Sequence, residues 1–251
     1  MTNIDRRSFL KALGLAGAAA AVAAKAGAAE GRQAAKGRME MRTSSTGDKV
    51  SLLGYGCMRM PTVGGVRGAD VDMDAQMRLI DYALEHGVNY FDTAPVYTGG
   101  KSEGIMGECL SRHRRDKYFI ATKMSNARGD SSYEFAHKMY LNSLEQLKTD
   151  YLDYYLLHNV GSSIESFNER FLNNGLLDFL LEERRAGRIR NLGWSFHGKK
   201  EVFDYMVSLH EKYHWDFVQI QHNYLDWNHA SGRNVNSSYL YGELAARDIP
   251  M

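Results

Sequence analysis

Four residues of this chain could act together on one carbonyl group: Asp92, Tyr97, Lys123 and His158. A tyrosine at its ordinary pKa of about 10 is a poor proton donor at neutral pH. A nearby ammonium favours the phenolate and lowers that value. Lys123 supplies the ammonium if Asp92 holds it in place. Tyr97 then becomes a usable acid, giving its proton to a carbonyl oxygen as hydride arrives at the carbon. His158 would orient or polarise the same oxygen. Taken singly, each has an ordinary explanation: a strand-end lysine is usually a solvated terminus, and a lone histidine a satisfied rim residue. Their joint placement is what carries the chemistry.

That placement comes from three apolar runs. Val88 to Phe91 reads as a buried strand between Gly87 and Pro95, and Asp92 stands where it stops. Tyr97 falls in the loop beyond, ahead of a helix for which Ser102 is the expected cap. Tyr118 to Lys123 is a strand ending in a lysine, and Leu152 to His158 a strand ending in a histidine. In a barrel of parallel strands the C-terminal ends share one rim, and reactive groups gather there.

The rest of the chain supports that architecture. Val50 to Met60 reads as the first strand, with Gly54 and Gly56 allowing a close approach to its backbone. Arg59 stands where a dinucleotide fingerprint would need a third glycine, which excludes that motif. Helices are expected over 74–86, with Met77, Ile80, Ala83 and Leu84 on one face, and over 103–112. A third covers 133–148, with Phe135, Met139, Leu141, Leu144 and Leu147 inward, and others cover 176–186, 201–213 and 239–247. Further strands are expected at 189–196 and 217–221. Strands recur roughly every thirty to thirty-five residues in strict alternation with helices, which predicts a parallel α/β sheet with right-handed crossovers. Six strands are expected, where a closed barrel has eight. The chain stops where a seventh would begin, so the expectation is a barrel cut short by two strands, or a variant that closes in another way.

The chain has 251 residues, 44% of them hydrophobic, enough for a sizeable core. A net charge of +1 gives no general pull toward nucleic acid or anionic membrane. Cys57 and Cys109 form neither a CxxC pair nor a zinc pattern. Residues 1–30 differ in kind. Arg6-Arg7-Ser8-Phe9-Leu10-Lys11 precedes an Ala/Gly/Leu run and the small residues Ala26 to Ala29. This resembles a twin-arginine export signal. Its apolar run of about thirteen residues is short of the roughly twenty needed to span a bilayer. The expectation is therefore an exported, periplasmic protein handled by the twin-arginine machinery, cleaved near Ala28, with no stable membrane anchor. Residues 31–49 read as a linker or short hairpin, and 50–251 as the barrel.

Together Phe91-Asp92-Thr93-Ala94-x-x-Tyr97, Ala121-Thr122-Lys123, Leu156-Leu157-His158, Gly193-Trp194-Ser195 and Val218-Gln219 resemble the aldo-keto reductase family. The likeness covers about residues 40 to 251. It implies a (β/α)8 TIM barrel, here with about six of eight strands, that uses NADPH or NADH to reduce small aldehydes or ketones to alcohols. It implies that Asp92, Tyr97, Lys123 and His158 form the catalytic tetrad. It also implies that Ser195 and Gln219 hold the nicotinamide carboxamide, and that Gly56, Met58 and Asp92 lie near the cofactor. Phe196-His197 follows Ser195 where the family usually has an asparagine. The family's last two strands carry the aromatic that stacks on nicotinamide and the basic pocket for the adenosine phosphate. Their absence leaves two rival expectations, a non-catalytic nucleotide-binding barrel or an inactive truncated fragment. The cysteines of the iron–sulfur extension found in some relatives would lie past Met251, so no metal is expected.

Weaker signals have simpler explanations. His210 and His214 stand four apart on an expected helix, but no third ligand accompanies them. Arg184, Arg185, Arg188 and Arg190 read as a solvated rim rather than a nucleic-acid site. Trp194, Tyr224 and Trp227 could line a pocket, though aromatics near strands are more often core.

Overall fold

Strands that are apolar on both faces must be covered on both faces, and this chain does so with two separate cores. The computed structural model describes residues 39–251, save 45, 128–129 and 231–234; the export signal and the first part of the linker, to residue 38, lie outside the described residues. The strands are β1 (Met41–Thr43), β2 (Lys49–Ser51), β3 (Tyr55–Gly56), β4 (Tyr90–Asp92), β5 (Phe119–Met124), β6 (Leu152–Val160), β7 (Ile189–Phe196) and β8 (Phe217–Gln219). Strands β3 to β8 form one sheet in sequential order, every neighbouring pair parallel. They are the six expected strands. The sheet is a half-barrel, with β3 and β8 at its edges among the described residues.

Helices α1 (Met73–Glu85), α2 (Ser102–Leu110), α3 (Tyr133–Gln146), α4 (Ile164–Phe167), α5 (Leu176–Arg185), α6 (Lys200–Ser208) and α7 (His210–Tyr213) fill the crossovers, and α8 (Ser237–Ala245) follows β8. Their ends carry local signals. Asp72 accepts from the Ala75 amide at 2.9 Å to start α1, and Gly87 takes a left-handed φ of +86° to end it. Ser132 and Asn236 cap α3 and α8 in the same way. The outer core lies between these helices and the sheet and includes Ile80, Phe91, Met106, Ile120, Trp194 and Phe203. The inner core is smaller: Ala121, Tyr154, Leu156 and Phe217, with Val50, Tyr90 and Phe119 packed against it. Its floor is the β1–β2 hairpin, whose Asp48 accepts hydrogen bonds from Tyr154 Oη at 2.8 Å and Asn191 Nδ2 at 3.3 Å.

Several expectations change. The stretch 50–60 is not one strand: Val50 belongs to the hairpin and pairs antiparallel with Arg42, and only Tyr55–Gly56 join the sheet. Where the chain leaves the hairpin, Asn89 Oδ1 accepts from the Ser51 amide at 2.8 Å and the Asn89 amide donates to the Ser51 hydroxyl at 3.0 Å. Ser102 does not cap α2; it is the first helical residue, and its hydroxyl is turned inward to Thr93 and to the Cys57 carbonyl. Helix α3 keeps part of the expected face, since Leu147 is buried and Met139 and Leu144 pack on the core, but Phe135 and Leu141 are exposed and Ala136, Tyr140 and Ser143 are buried instead. Tyr140 can face inward because its hydroxyl donates to Glu183 at 2.8 Å. The helix expected over 201–213 is broken at Leu209, and a single π-helical turn, Asn168–Leu172, follows α4 where sequence reading placed nothing.

Candidate active site

The pleat brings the chemistry to the inner face. Residues paired in register share a face, and so do alternate residues along a strand. Gly56 pairs with Asp92 and Asp92 with Ala121, two residues before Lys123. Lys123 pairs with Leu156, two before His158, and Ser195 pairs with Gln219. Asp92, Lys123, Ser195 and Gln219 therefore project into the half-barrel toward its C-terminal rim. His158 joins them at a point where β6 bulges between Leu157 and Val160. Tyr97 arrives from a tight turn, Tyr97–Gly100, in which Thr98 and Gly99 both take left-handed φ.

Lys123 is 1% exposed, and its ammonium donates to Asp92 Oδ1 and to the Thr93 carbonyl, both at 2.7 Å. A buried charge persists only with such partners. Its Nζ stands 4.9 Å from the centroid of the Tyr97 ring, a cation–π distance. The Tyr97 and His158 rings meet edge to face, centroids 5.8 Å apart. The four residues thus form one contiguous group: Asp92 to Lys123, Lys123 to Tyr97, Tyr97 to His158.

Two further residues, Ser125 and Arg170, join the group. Ser125 Oγ lies 2.6 Å from His158 Nδ1. Arg170, buried in the π-helical turn, donates from Nη2 to the His158 carbonyl at 2.7 Å and from Nη1 to the Asn159 carbonyl at 3.4 Å. Its Nε reaches Asn126 Oδ1 at 3.2 Å. Burial lowers its pKa to about 10. Burial, then the positive fields of Lys123, Arg170 and His197, push the His158 imidazole down to about 3. At neutral pH the ring is therefore uncharged. No sequence pattern marked Ser125 or Arg170, since each meets its partner only through the fold.

The residues near the expected cofactor position are less uniform. Ser195 is buried, and its hydroxyl accepts from the Asn159 amide at 2.9 Å. Asn159 holds a left-handed φ of 53° at the bulge. Gln219, Gly56 and Met58 are exposed. A Cβ at Gly56 would meet nothing within 4 Å, while one at Gly54 would press on the Tyr90 ring at 3.2 Å. The close approach in this stretch is thus at Gly54, and it is made by the protein itself. Asp92 Oδ2 is buried without a hydrogen-bond partner, an acceptor suited to a hydroxyl donor from a bound molecule.

Other candidates fall outside this group. A hollow of about 560 Å³ lies against the hairpin and is bordered by Tyr90, Tyr154, Asn191 and Gln219, but by none of Asp92, Tyr97, Lys123 or His158. His210 Nδ1 accepts from the Trp215 amide, and among the described residues no cluster of His, Cys, Asp or Glu could hold a metal ion. Arg184, Arg188 and Arg190 pair with Asp216, Glu183 and Asp153. Trp194 lies in the outer core, Tyr224 is 90% exposed, and Trp227 stacks on His222.

Comparison with known proteins bears on this arrangement. The profile of the Aldo/keto reductase family matches residues 52–249, and that of the TAT (twin-arginine translocation) pathway signal sequence matches residues 3–23. The signal marks the chain for export. No helix among the described residues is long and apolar enough to cross a membrane. The uncharacterized oxidoreductase YqkF of Bacillus subtilis is 35% identical over 146 residues, 52% of this chain and 44% of that protein. The aldo-keto reductase AKR11C1 from Bacillus halodurans, in its holo form, superposes with a TM-score of 0.65 at 25% identity, covering 84% of this chain and 64% of that one. The Bombyx mori aldo-keto reductase AKR2E4, solved in complex with NADP, shares the fold at a TM-score of 0.59 and 20% identity, over 84% of this chain and 64% of its own. The chain spans about half the length of the curated relatives it matches, 44% to 52% in three of them.

Proposed function

The chain belongs to the aldo/keto reductase family, and on that premise we propose that it reduces an aldehyde or ketone to the alcohol, using NADPH or NADH, with Tyr97 as the proton donor. The observation that carries the reading is the contiguous group of Asp92, Lys123, Tyr97 and His158 on the inner face. When bound, the reduced nicotinamide supplies hydride to the carbonyl carbon. The residues that would hold it are Ser195 and Gln219 at the carboxamide, with Gly56, Met58 and Asp92 alongside. The partnerless Asp92 Oδ2 fits a cofactor hydroxyl.

The protein's own part is to control one proton and one developing charge. As the carbonyl oxygen gains electron density, the Tyr97 O–H bond breaks and its proton moves to that oxygen. The phenolate left behind is compensated by the Lys123 ammonium, which Asp92 and the Thr93 carbonyl keep in place. His158, uncharged at neutral pH, acts on the same oxygen as a hydrogen-bond donor and not as a competing acid. After export the chain would work in the periplasm on a small-molecule carbonyl or alcohol.

The test is to supply NADPH or NADH with a panel of aldehydes and ketones, following cofactor oxidation and alcohol formation together. Equal amounts of oxidised cofactor and alcohol are expected. Cofactor binding with no carbonyl turned over across the panel would contradict the reading.

A further inference from the structure

We propose that Ser125 is a positioning residue for His158: its hydroxyl donates to Nδ1 and so fixes the ring as the tautomer whose proton is on Nε2. The role of that Nε2 proton rests on the reductase reading; the tautomer itself does not.

The argument is a count of protons. A serine hydroxyl has one to give. Two groups lie within range of Ser125 Oγ: His158 Nδ1 at 2.6 Å and the Lys123 carbonyl at 3.5 Å. The first is a strong hydrogen-bond length and the second is at the outer limit. Were Nδ1 protonated, it would donate to Oγ and leave the serine proton only the Lys123 carbonyl at 3.5 Å; the better-satisfied arrangement puts the serine proton on the short contact, toward Nδ1. A neutral imidazole keeps one ring proton, which is then left on Nε2.

The surroundings make the count decisive. Lys123 on β5, Arg170 in the π-helical turn and His197 just beyond β7 all oppose a second ring proton. Arg170 also fixes the backbone under the ring by binding the His158 and Asn159 carbonyls, and Ser195 holds the Asn159 amide. What remains free is the ring's own orientation and tautomer, and the Ser125 contact governs both. In the opposite tautomer Nε2 would carry a lone pair. It would repel a carbonyl oxygen and compete with that oxygen for the Tyr97 proton. Ser125, two residues past Lys123 on the same β5 ending, thus decides whether His158 works with Tyr97 or against it.

The experiment is ring-nitrogen NMR on the full chain, with the His158 signals assigned by their loss in His158→Gln. At about pH 7 the wild type is expected to show a protonated Nε2 and a bare Nδ1. Ser125→Ala is expected to show a mixture of tautomers, and Ser125→Thr to restore the single form. In turnover, Ser125→Ala should lower kcat about tenfold with the KM for cofactor unchanged, the size of one neutral hydrogen bond, and Ser125→Thr should recover it. A wild-type ring protonated on Nδ1 would overturn the proposal without any variant. So would an unchanged tautomer in a folded Ser125→Ala chain, or a changed tautomer with full kcat. If the tautomers behave as stated but no form of the chain reduces a carbonyl, Ser125 still sets the ring, and it is the reductase reading that fails.

Discussion

Lys123 and Asp92 are joined by a 2.7 Å ion pair that crosses from β5 to β4, and the lysine is almost wholly sealed from water. A charge so placed depends on its partner. Replacing Asp92 with Asn should cost about 3 kcal/mol of unfolding free energy, because it strands a buried ammonium. Lys123→Met should also destabilise, by leaving the carboxylate unpaired. The double variant should be clearly more stable than the sum of the two losses predicts. Urea denaturation of the four proteins gives this coupling directly, and strict additivity would mean that the pair contributes nothing.

The depressed pKa of His158 makes a statement about acid stability. Its folded value of about 3 lies below the model-peptide value of 6.5. Between those two pH values the unfolded chain binds a proton that the folded chain does not, so stability falls as pH falls across that window. Above about pH 6.5 this contribution is fully present. His158→Gln should therefore flatten the pH dependence of unfolding between the two values relative to wild type. Parallel curves for the two proteins would show that the imidazole is not held neutral.

Gly193 sits on the inner face of β7, and a Cβ there would come 2.2 Å from the Phe217 carbonyl on β8. A backbone atom cannot swing aside, so Gly193→Ala should displace β8 and cost about 1–3 kcal/mol. Since β8 carries Gln219, cofactor affinity should fall by more than the same substitution causes at Gly242, where a Cβ meets nothing within 4 Å. Calorimetric titration with NADPH would compare them.

If the site holds its cofactor, NADPH or NADH must raise the melting temperature of the chain, since a ligand bound only by the folded state adds to its stability. The rise should grow with cofactor concentration and be smaller in Asp92→Ala, which removes the partnerless Oδ2. A melt insensitive to either nucleotide at saturating concentration would count against the proposed cofactor.

Much of this arrangement was legible in the sequence for a physical reason. Strands buried on both faces are continuous apolar runs, so a polar residue at their C-terminal end stands out, and Asp92, Lys123 and His158 did. The strand Ile189–Phe196 coincides with the stretch that predicts it. Helix α3 is legible only in part: Met139, Leu144 and Leu147 pack inward as hydrophobicity predicts, but hydrophobicity alone does not place Tyr140, which buries its ring by bonding Glu183. The π-helical turn carries no periodic signal in its sequence, Asn168-Glu169-Arg170-Phe171-Leu172, because its burial depends on Arg170 finding backbone carbonyls that only the fold supplies. Ser125 carries no such signal, because its partner His158 is 33 residues away in sequence.

The most direct test of the central claim is carbonyl reduction by Tyr97→Phe, measured beside its melt and its cofactor affinity. The substitution removes one hydroxyl and keeps the ring that packs against Lys123 and His158. The account predicts an unchanged melt, unchanged NADPH or NADH affinity, and a loss in kcat of about 100-fold or more. Turnover near wild type in a folded, cofactor-binding Tyr97→Phe chain would mean that the proton comes from elsewhere, and that the proposed mechanism is wrong.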